Sequence, residues 1–283
     1  MPMTATDSLS ALMIEALDAQ PGHTVLEIGA GTGTRTALLC DLLGADAVVS
    51  VEADRAAGEA AHRLCWNGGF NPLVIHAAGL GGYPPRAPYD RLITSQPVGR
   101  IPPAWIEQTR PGGVIVAPLG SGLWRCEVGE DGTASGRVIV DAGAVRPALP
   151  AELLPAAEVV AWTQTGGRKV YAGHLVRNYR SQTLTALAAL VMPDLQRLTE
   201  KGREGFTVWA DASTRSWVRL DTRRKTTFGG SRELLGELDV VYIWWALAQR
   251  PEPDRWGLTI TPDGTHTLWA DTPRDYQMAL PAL

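Results

Sequence analysis

Apolar residues return along this chain at two spacings, and the alternation between them predicts the fold. Leu9, Leu12, Met13, Ile14 and Leu17 recur at helical spacing over residues 8–19, with Thr6, Asp7 or Ser8 as the cap and Pro21-Gly22 as the stop. Short apolar runs that suit buried strands follow at 24–28, 47–51, 73–76, 89–94 and 114–119. Helical patterns at 35–43 and from about 55 to 66 separate the first three runs, and Ile101-Pro102-Pro103 opens a short helix around Trp105. Strand and helix alternating so closely require a parallel sheet with helices on both faces. Residues 123–128 and 137–140 flank the polar turn Glu130-Asp131-Gly132-Thr133, an antiparallel hairpin that completes a seven-stranded, mostly parallel, doubly wound sheet.

The proline-broken stretch 147–155 divides the chain into residues 1–150 and a smaller α+β unit at 151–283. The second unit is expected to hold strands at 158–163 and 169–176, a helix from about 181 to 200, strands at 206–210 and 216–220, and a helix from about 231 to 249. Two alternating strands then surround Pro262-Asp263-Gly264.

The first strand runs straight into Gly29-Ala30-Gly31-Thr32-Gly33. Glycine at every second position lets the backbone turn sharply and lets an adenosine moiety lie against it, where a Cβ would intrude. A dinucleotide fingerprint needs its third glycine at position 34, which is Thr34. Glu27-x-Gly29-x-Gly31-x-Gly33 instead resembles the first motif of class I S-adenosylmethionine methyltransferases. Glu52 ends the second strand, nineteen residues past Gly33, where this fold places a carboxylate for both ribose hydroxyls. Arg35 lacks the context of a phosphate-loop lysine, so a diphosphate is not expected.

Composition adds exclusions. The net charge is −4 and the pI near 5.8, which points away from nucleic acid. Residues 197–232 nevertheless hold nine basic against four acidic side chains, a solvated surface or a seat for an acidic partner, with Arg223, Arg224 and Lys225 at its centre. Cys40, Cys65 and Cys126 form no CxxC pair and read as buried thiols, and no metal site is suggested. No signal-peptide pattern or apolar window of eighteen residues occurs, so a cytoplasmic protein off the membrane is expected. The ten tryptophans suit an aromatic core in the second unit or a peptide-binding groove there.

From Leu12 to about Pro147 the chain resembles the protein-L-isoaspartate O-methyltransferase family. The residues that carry the resemblance are Pro21-Gly22 with Val25–Gly33, Ala87-Pro88-Tyr89-Asp90-Arg91, Ile101-Pro102-Pro103-Ala104-Trp105, Gln108 and Pro111-Gly112-Gly113. The stretch from Trp256 to Asp271 resembles the extension on relatives that act in ribosomal-peptide maturation beside ATP-grasp ligases or lanthionine synthetases. The resemblance implies that S-adenosyl-L-methionine is bound by Glu27, Gly29, Ala30, Gly31, Thr32, Gly33, Glu52, Ala78, Gly79 and Thr94, leaving S-adenosyl-L-homocysteine as product. Three departures are visible. Members usually carry a long N-terminal segment with a serine-containing substrate loop, in place of which this sequence offers Thr4, Thr6 and Ser8, with Thr6 and Ser8 the implied substrate-side residues; Ala77-Ala78-Gly79 replaces Gly-Asp-Gly after the third strand; and Thr94-Ser95-Gln96-Pro97 replaces a Thr-Ala-Ala-like step.

Methyl transfer to a carboxylate needs little acid–base help, because the nucleophile is ionised at neutral pH. The expectation is therefore an O-methyltransferase acting on an aspartate of an acidic precursor peptide held by the C-terminal unit, with an aspartimide or isoaspartate as the outcome. General isoaspartyl repair and a non-catalytic peptide-binding module are the alternatives; the oligomeric state stays open.

Overall fold

The computed structural model describes residues 5–140, 153–164, 167–171, 181–200, 205–221 and 225–282. The first unit is β1 (Val25–Ile28), β2 (Val48–Glu52), β3 (Leu73–His76), β4 (Tyr89–Thr94) and β5 (Thr109–Leu119), with α1 (Ala5–Leu17), α2 (Thr34–Leu43), α3 (Arg55–Asn67) and α4 (Pro103–Glu107). β6 (Gly122–Val128) and β7 (Ala134–Val140) form the expected hairpin. β1 lies between β2 and β4 with all four residues buried, which is why it reads as an unbroken apolar run except at Glu27. Asp54 caps α3, its Oδ1 accepting from the Ala57 amide at 2.9 Å, and Gly68-Gly69 ends it.

The rest of the chain departs from the expected plan. It contains α5 (Ala156–Trp162), β8 (Arg168–Tyr171), α6 (Gln182–Val191), β9 (Gln196–Glu200), β10 (Phe206–Asp211), β11 (Ser216–Asp221), β12 (Lys225–Gly229), α7 (Leu234–Leu247), β13 (Trp256–Ile260), β14 (His266–Ala270) and β15 (Met278–Ala279). The main sheet has ten strands, not seven, in the order β15-β14-β13-β7-β6-β5-β4-β1-β2-β3, and it is parallel only from β3 to β5. β13 pairs antiparallel with β7, Gly257 opposite Arg137, so the 256–270 hairpin belongs to the first sheet and not to a separate domain. The second sheet, β8-β12-β11-β10-β9, is antiparallel throughout.

Three local expectations also change. Residues 158–163 form no strand: α5 starts after Pro155 and buries Val159, the two adjacent valines notwithstanding. The helix expected over 181–200 stops at Val191, because Pro193 has no amide hydrogen and forces Met192 out of helical geometry; β9 follows. β12, inside the basic stretch, was not anticipated. Residues 172–176 of the expected strand and Arg223-Arg224 lie outside the described residues.

On one face of the main sheet, Met13 and Leu17 of α1 and Leu39 and Cys40 of α2 pack on Val25, Val48, Ile93 and Val114. On the other, one cluster runs from Leu26, Ile28 and Trp105 through Leu187 of α6 and Leu238 and Trp245 of α7 to Trp209 and Val218 of the second sheet. Because α6 and α7 share their apolar faces with both sheets, no core boundary falls at 150. All three cysteines are buried and free. No helix among the described residues is long and apolar enough to cross a membrane.

Several basic-stretch cations are spent internally. Arg219 lies 3.9 Å over the Phe206 ring and Arg197 5.7 Å over Trp209. Arg232 joins three carboxylates: Glu237 at 2.7 Å, Asp211 at 3.1 Å, and Asp194. Burial alone would push Asp211 up, but hydrogen bonds from Ser213, Thr214 and Arg232 outweigh it and hold the carboxyl at about 2. A pKa below the ordinary value contributes stability that is present above about pH 4 and lost as the pH falls toward 2. Arg232→Met is expected to cost about 2 kcal/mol at pH 7 by urea melting. The gap from the parent should narrow as the pH drops from about 4 toward 2, where a protonated Asp211 no longer needs the cation.

Candidate functional site

The crevice forms where β1 ends. The Gly29 amide donates to the Val51 carbonyl at 2.7 Å, and the chain then turns through φ values of +82°, +54° and +83° at Gly29, Gly31 and Gly33. The three glycines serve different needs. A Cβ on Gly33 would fall 2.6 Å from the Ala61 Cα of α3, so this glycine lets α2 and α3 approach. A Cβ on Gly29 would meet the Gln96 side chain at 3.1 Å. At Gly31 it would meet nothing within 4 Å, so the turn is open at its middle.

Glu27 was expected to face a ligand; the structure gives it another task. Its carboxylate is fully buried and accepts from Arg35 Nε at 2.8 Å, Thr36 Oγ1 at 2.6 Å and Ser50 Oγ at 2.8 Å. Arg35 Nη2 also donates to the Gly29 carbonyl at 3.1 Å. Glu27 therefore fastens the turn from below. Glu52 sits at the turn itself: Oε2 accepts from the Gly31 amide at 2.9 Å and Oε1 from the Asp54 amide at 3.0 Å. Each oxygen holds one donor and keeps further acceptor capacity.

Ala30 is buried, while Gly31 and Thr32 are exposed, Thr32 Oγ1 lying 3.2 Å from Thr34 Oγ1. Thr94 is fully buried, and its hydroxyl accepts from the Gln96 amide at 3.1 Å, so it shapes the turn after β4 and does not face the crevice. That turn carries Gln96, which the sequence noted only as a departure, over Gly29. Ala78 is exposed at the end of β3. Gly79 tolerates no Cβ, since Ile28 Cγ2 would lie 2.4 Å away, and its carbonyl accepts from Trp105 Nε1 at 2.9 Å. Gln108 holds the same loop, Oε1 accepting from the Tyr83 amide at 2.7 Å and Nε2 donating to the Gly81 carbonyl at 2.8 Å.

The β4-β1-β2-β3 order thus brings Gly29–Gly33, Glu52, Ala78 and Gly79 to one carboxyl edge, with Glu27 and Thr94 behind them. Thr6 and Ser8 lie at the start of α1, whose C-terminal end is tied to the sheet by Arg125 on the Ala16 carbonyl and Arg91 on the Asp18 carbonyl. Nucleophilic thiols are not part of the carboxyl edge, because burial pushes Cys40 up to about 12 and raises Cys65. Among the described residues no group of three His, Cys, Asp or Glu could hold a metal.

Residues 3–137 match the family model described as Protein-L-isoaspartate(D-aspartate) O-methyltransferase (PCMT). Just under half of the chain is thus similar to that family. The protein-L-isoaspartate O-methyltransferase of Methanopyrus kandleri is 39% identical over 129 residues, covering 43% of this chain and 57% of the relative. That of Azorhizobium caulinodans is 44% identical over 115 residues, covering 40% and 52%. The chain spans little more than half the length of these curated relatives. A solved protein-L-isoaspartate O-methyltransferase superposes with a TM-score of 0.54 at 20% identity, over 94% of this chain and 81% of that one. At that identity the likeness is one of fold, and it extends past residue 137 into the C-terminal half.

The glycine geometry separates two substitutions. Gly31→Ala should cost about 1 to 2 kcal/mol, for the left-handed φ alone. Gly33→Ala adds collision with the α3 backbone and should cost about 3 kcal/mol or more. Equal losses in denaturant melts would refute this division of roles.

Proposed function

We propose that the chain transfers a methyl group from S-adenosyl-L-methionine to a side-chain carboxylate of the isoaspartyl kind, leaving S-adenosyl-L-homocysteine. The observation that carries this reading is the open middle of the Gly29–Gly33 turn beside the two incompletely used oxygens of Glu52. A nucleoside fits there: the absent Cβ leaves room for it, and Glu52 can accept from two adjacent hydroxyls. No carboxylate follows β3, so an adenine ring would meet Ala78 and backbone groups.

When bound, the cofactor supplies an electrophilic methyl group on a sulfonium. The chain's own residues hold and orient. Glu52, oriented by the Gly31 amide, fixes the nucleoside end, and Gln96 stands over the first glycine. A carboxylate acceptor arrives ionised and needs no base, which agrees with a crevice free of reactive thiols.

Isoaspartyl methylation has the broader support, since relatives at 39% and 44% identity carry that name. The narrower expectation, an aspartate within an acidic precursor peptide, draws on the β13–β15 and second-sheet additions beyond residue 137. Those additions do not separate the two readings, because the fold likeness to a solved isoaspartate methyltransferase spans them.

Calorimetry with S-adenosylmethionine tests the first step, and no binding would leave a non-catalytic module. Labelled methyl transfer to an isoaspartyl peptide, beside a macrocyclic acidic precursor, tests the second; transfer to the precursor alone would reverse the preference. Glu52→Gln should weaken cofactor binding about tenfold, since an amide replaces one strong acceptor with a donor. An unchanged affinity would remove Glu52 from the site.

A further inference from the structure

A cleft of about 720 Å³ opens beside the turn after β4. The loop 97–103 forms one wall, and the 263–266 turn with residues 280–282 forms the other. The walls are joined: the Ile101 amide donates to His266 Nε2 at 3.1 Å, and His266 Nδ1 lies 2.9 Å from the Gly264 carbonyl. The lining is chiefly apolar, with Leu80, Val98 and Leu280 among prolines. Arg100 is the exception.

All five Arg100 donors go to carbonyl oxygens. Nη1 reaches Gly99 at 2.7 Å and Leu190 at 3.0 Å, Nη2 reaches Val191 at 3.0 Å, and Nε and Nη2 share the Pro281 carbonyl at 3.2 and 2.8 Å. Among the described residues no carboxylate lies within ion-pair distance of it. Carbonyl dipoles solvate a cation without neutralising it, so a unit of positive charge stays in the wall. Burial draws Arg100 down to about 10 against the pull of Asp194, which leaves it charged at neutral pH.

The other ionisable groups of the cleft do not pair with that charge. Burial lowers His266 to about 4, so it is neutral; Asp263 on the rim stays ionised, held by Thr261 and Thr265, and makes no ion pair with Arg100. The Nε–Nη2 edge under Pro281 is the one a carboxylate takes bidentately.

We propose that this cleft seats an acidic peptide, one carboxylate of which displaces the Pro281 carbonyl from the Nε–Nη2 edge of Arg100. The carboxylate held there is not the one methylated, since pairing with a guanidinium would blunt a nucleophile. Arg100 is thus a positioning residue for substrate. The peptide's role as methyl acceptor rests on the function proposed above; its binding does not.

The test measures binding without cofactor, by fluorescence anisotropy on the full chain. The probe is a labelled hexapeptide of Asp and Glu residues, compared with its Asn and Gln counterpart. The acidic peptide should bind about tenfold tighter, and Arg100→Met should abolish that preference while leaving the neutral peptide unchanged. If Arg100→Met fails to fold, Leu80→Asp on the exposed rim should weaken the acidic peptide several-fold at low salt and less at high salt. Equal affinity for the two peptides, or a preference that survives both variants, overturns the proposal. Calorimetry with S-adenosylmethionine on the same preparations separates the two claims: cofactor binding without acidic-peptide preference sinks only this one, and the reverse sinks only the methyltransferase reading.

Discussion

Everything at the carboxyl edge depends on one buried anion. Glu27 sits in the middle of the central strand, where an unpaired carboxylate would cost several kcal/mol. It is tolerated because Arg35 from α2, Thr36 from α2 and Ser50 from β2 converge on it. Those donors can all arrive only if α2 begins directly after Gly33 and packs against β1 and β2. The same Arg35 reaches the Gly29 carbonyl, so the ion pair fixes the start of the turn as well as its exit. The Gly31 amide is then aimed at Glu52 by geometry set one layer deeper.

The second constraint joins the two halves of the chain. β13 extends the main sheet at β7, and the hairpin it begins brings His266 to the Ile101 amide. A neutral imidazole is required there, because Nε2 must accept; burial keeps it so. Arg100 adds the C-terminal end of α6 and the 280–282 segment to the same loop. That loop leaves the turn carrying Gln96, so the crevice and the C-terminal half share one short piece of backbone.

The parallel half of the fold was legible because β1, β2 and β4 are buried on both faces and read as chiefly apolar runs between glycine and proline stops, with β3 half-buried at the edge. The glycine turn was legible for a related reason, as each of its glycines has a backbone need. The role of Glu27 was not: an acid in an apolar strand looks the same whether it meets a ligand or an arginine eight positions later. Residues 158–163 misled because adjacent valines suit a strand, whereas burial of a single face decided for α5. Pro193 was a visible stop that the apolar run before it masked. The destination of the 256–270 hairpin was out of reach, since alternation fixes which face is buried but not which edge a strand joins.

These two constraints differ in how far along the chain they reach, and that has a functional consequence. The crevice is assembled from residues 27–96, within the segment that matches the PCMT model, by contacts between neighbouring β-α-β units. The cleft needs residues separated by more than 160 positions, since Ile101 meets His266 and Arg100 meets Pro281. Substitutions in the C-terminal half can therefore remodel what lies opposite the 97–103 loop without disturbing Glu27, Glu52 or the glycines. A fold arranged this way keeps one binding chemistry constant at the carboxyl edge while the neighbouring wall varies. In the proposed reading, selectivity is decided where the two halves meet, by groups such as Arg100 that make no ion pair among the described residues.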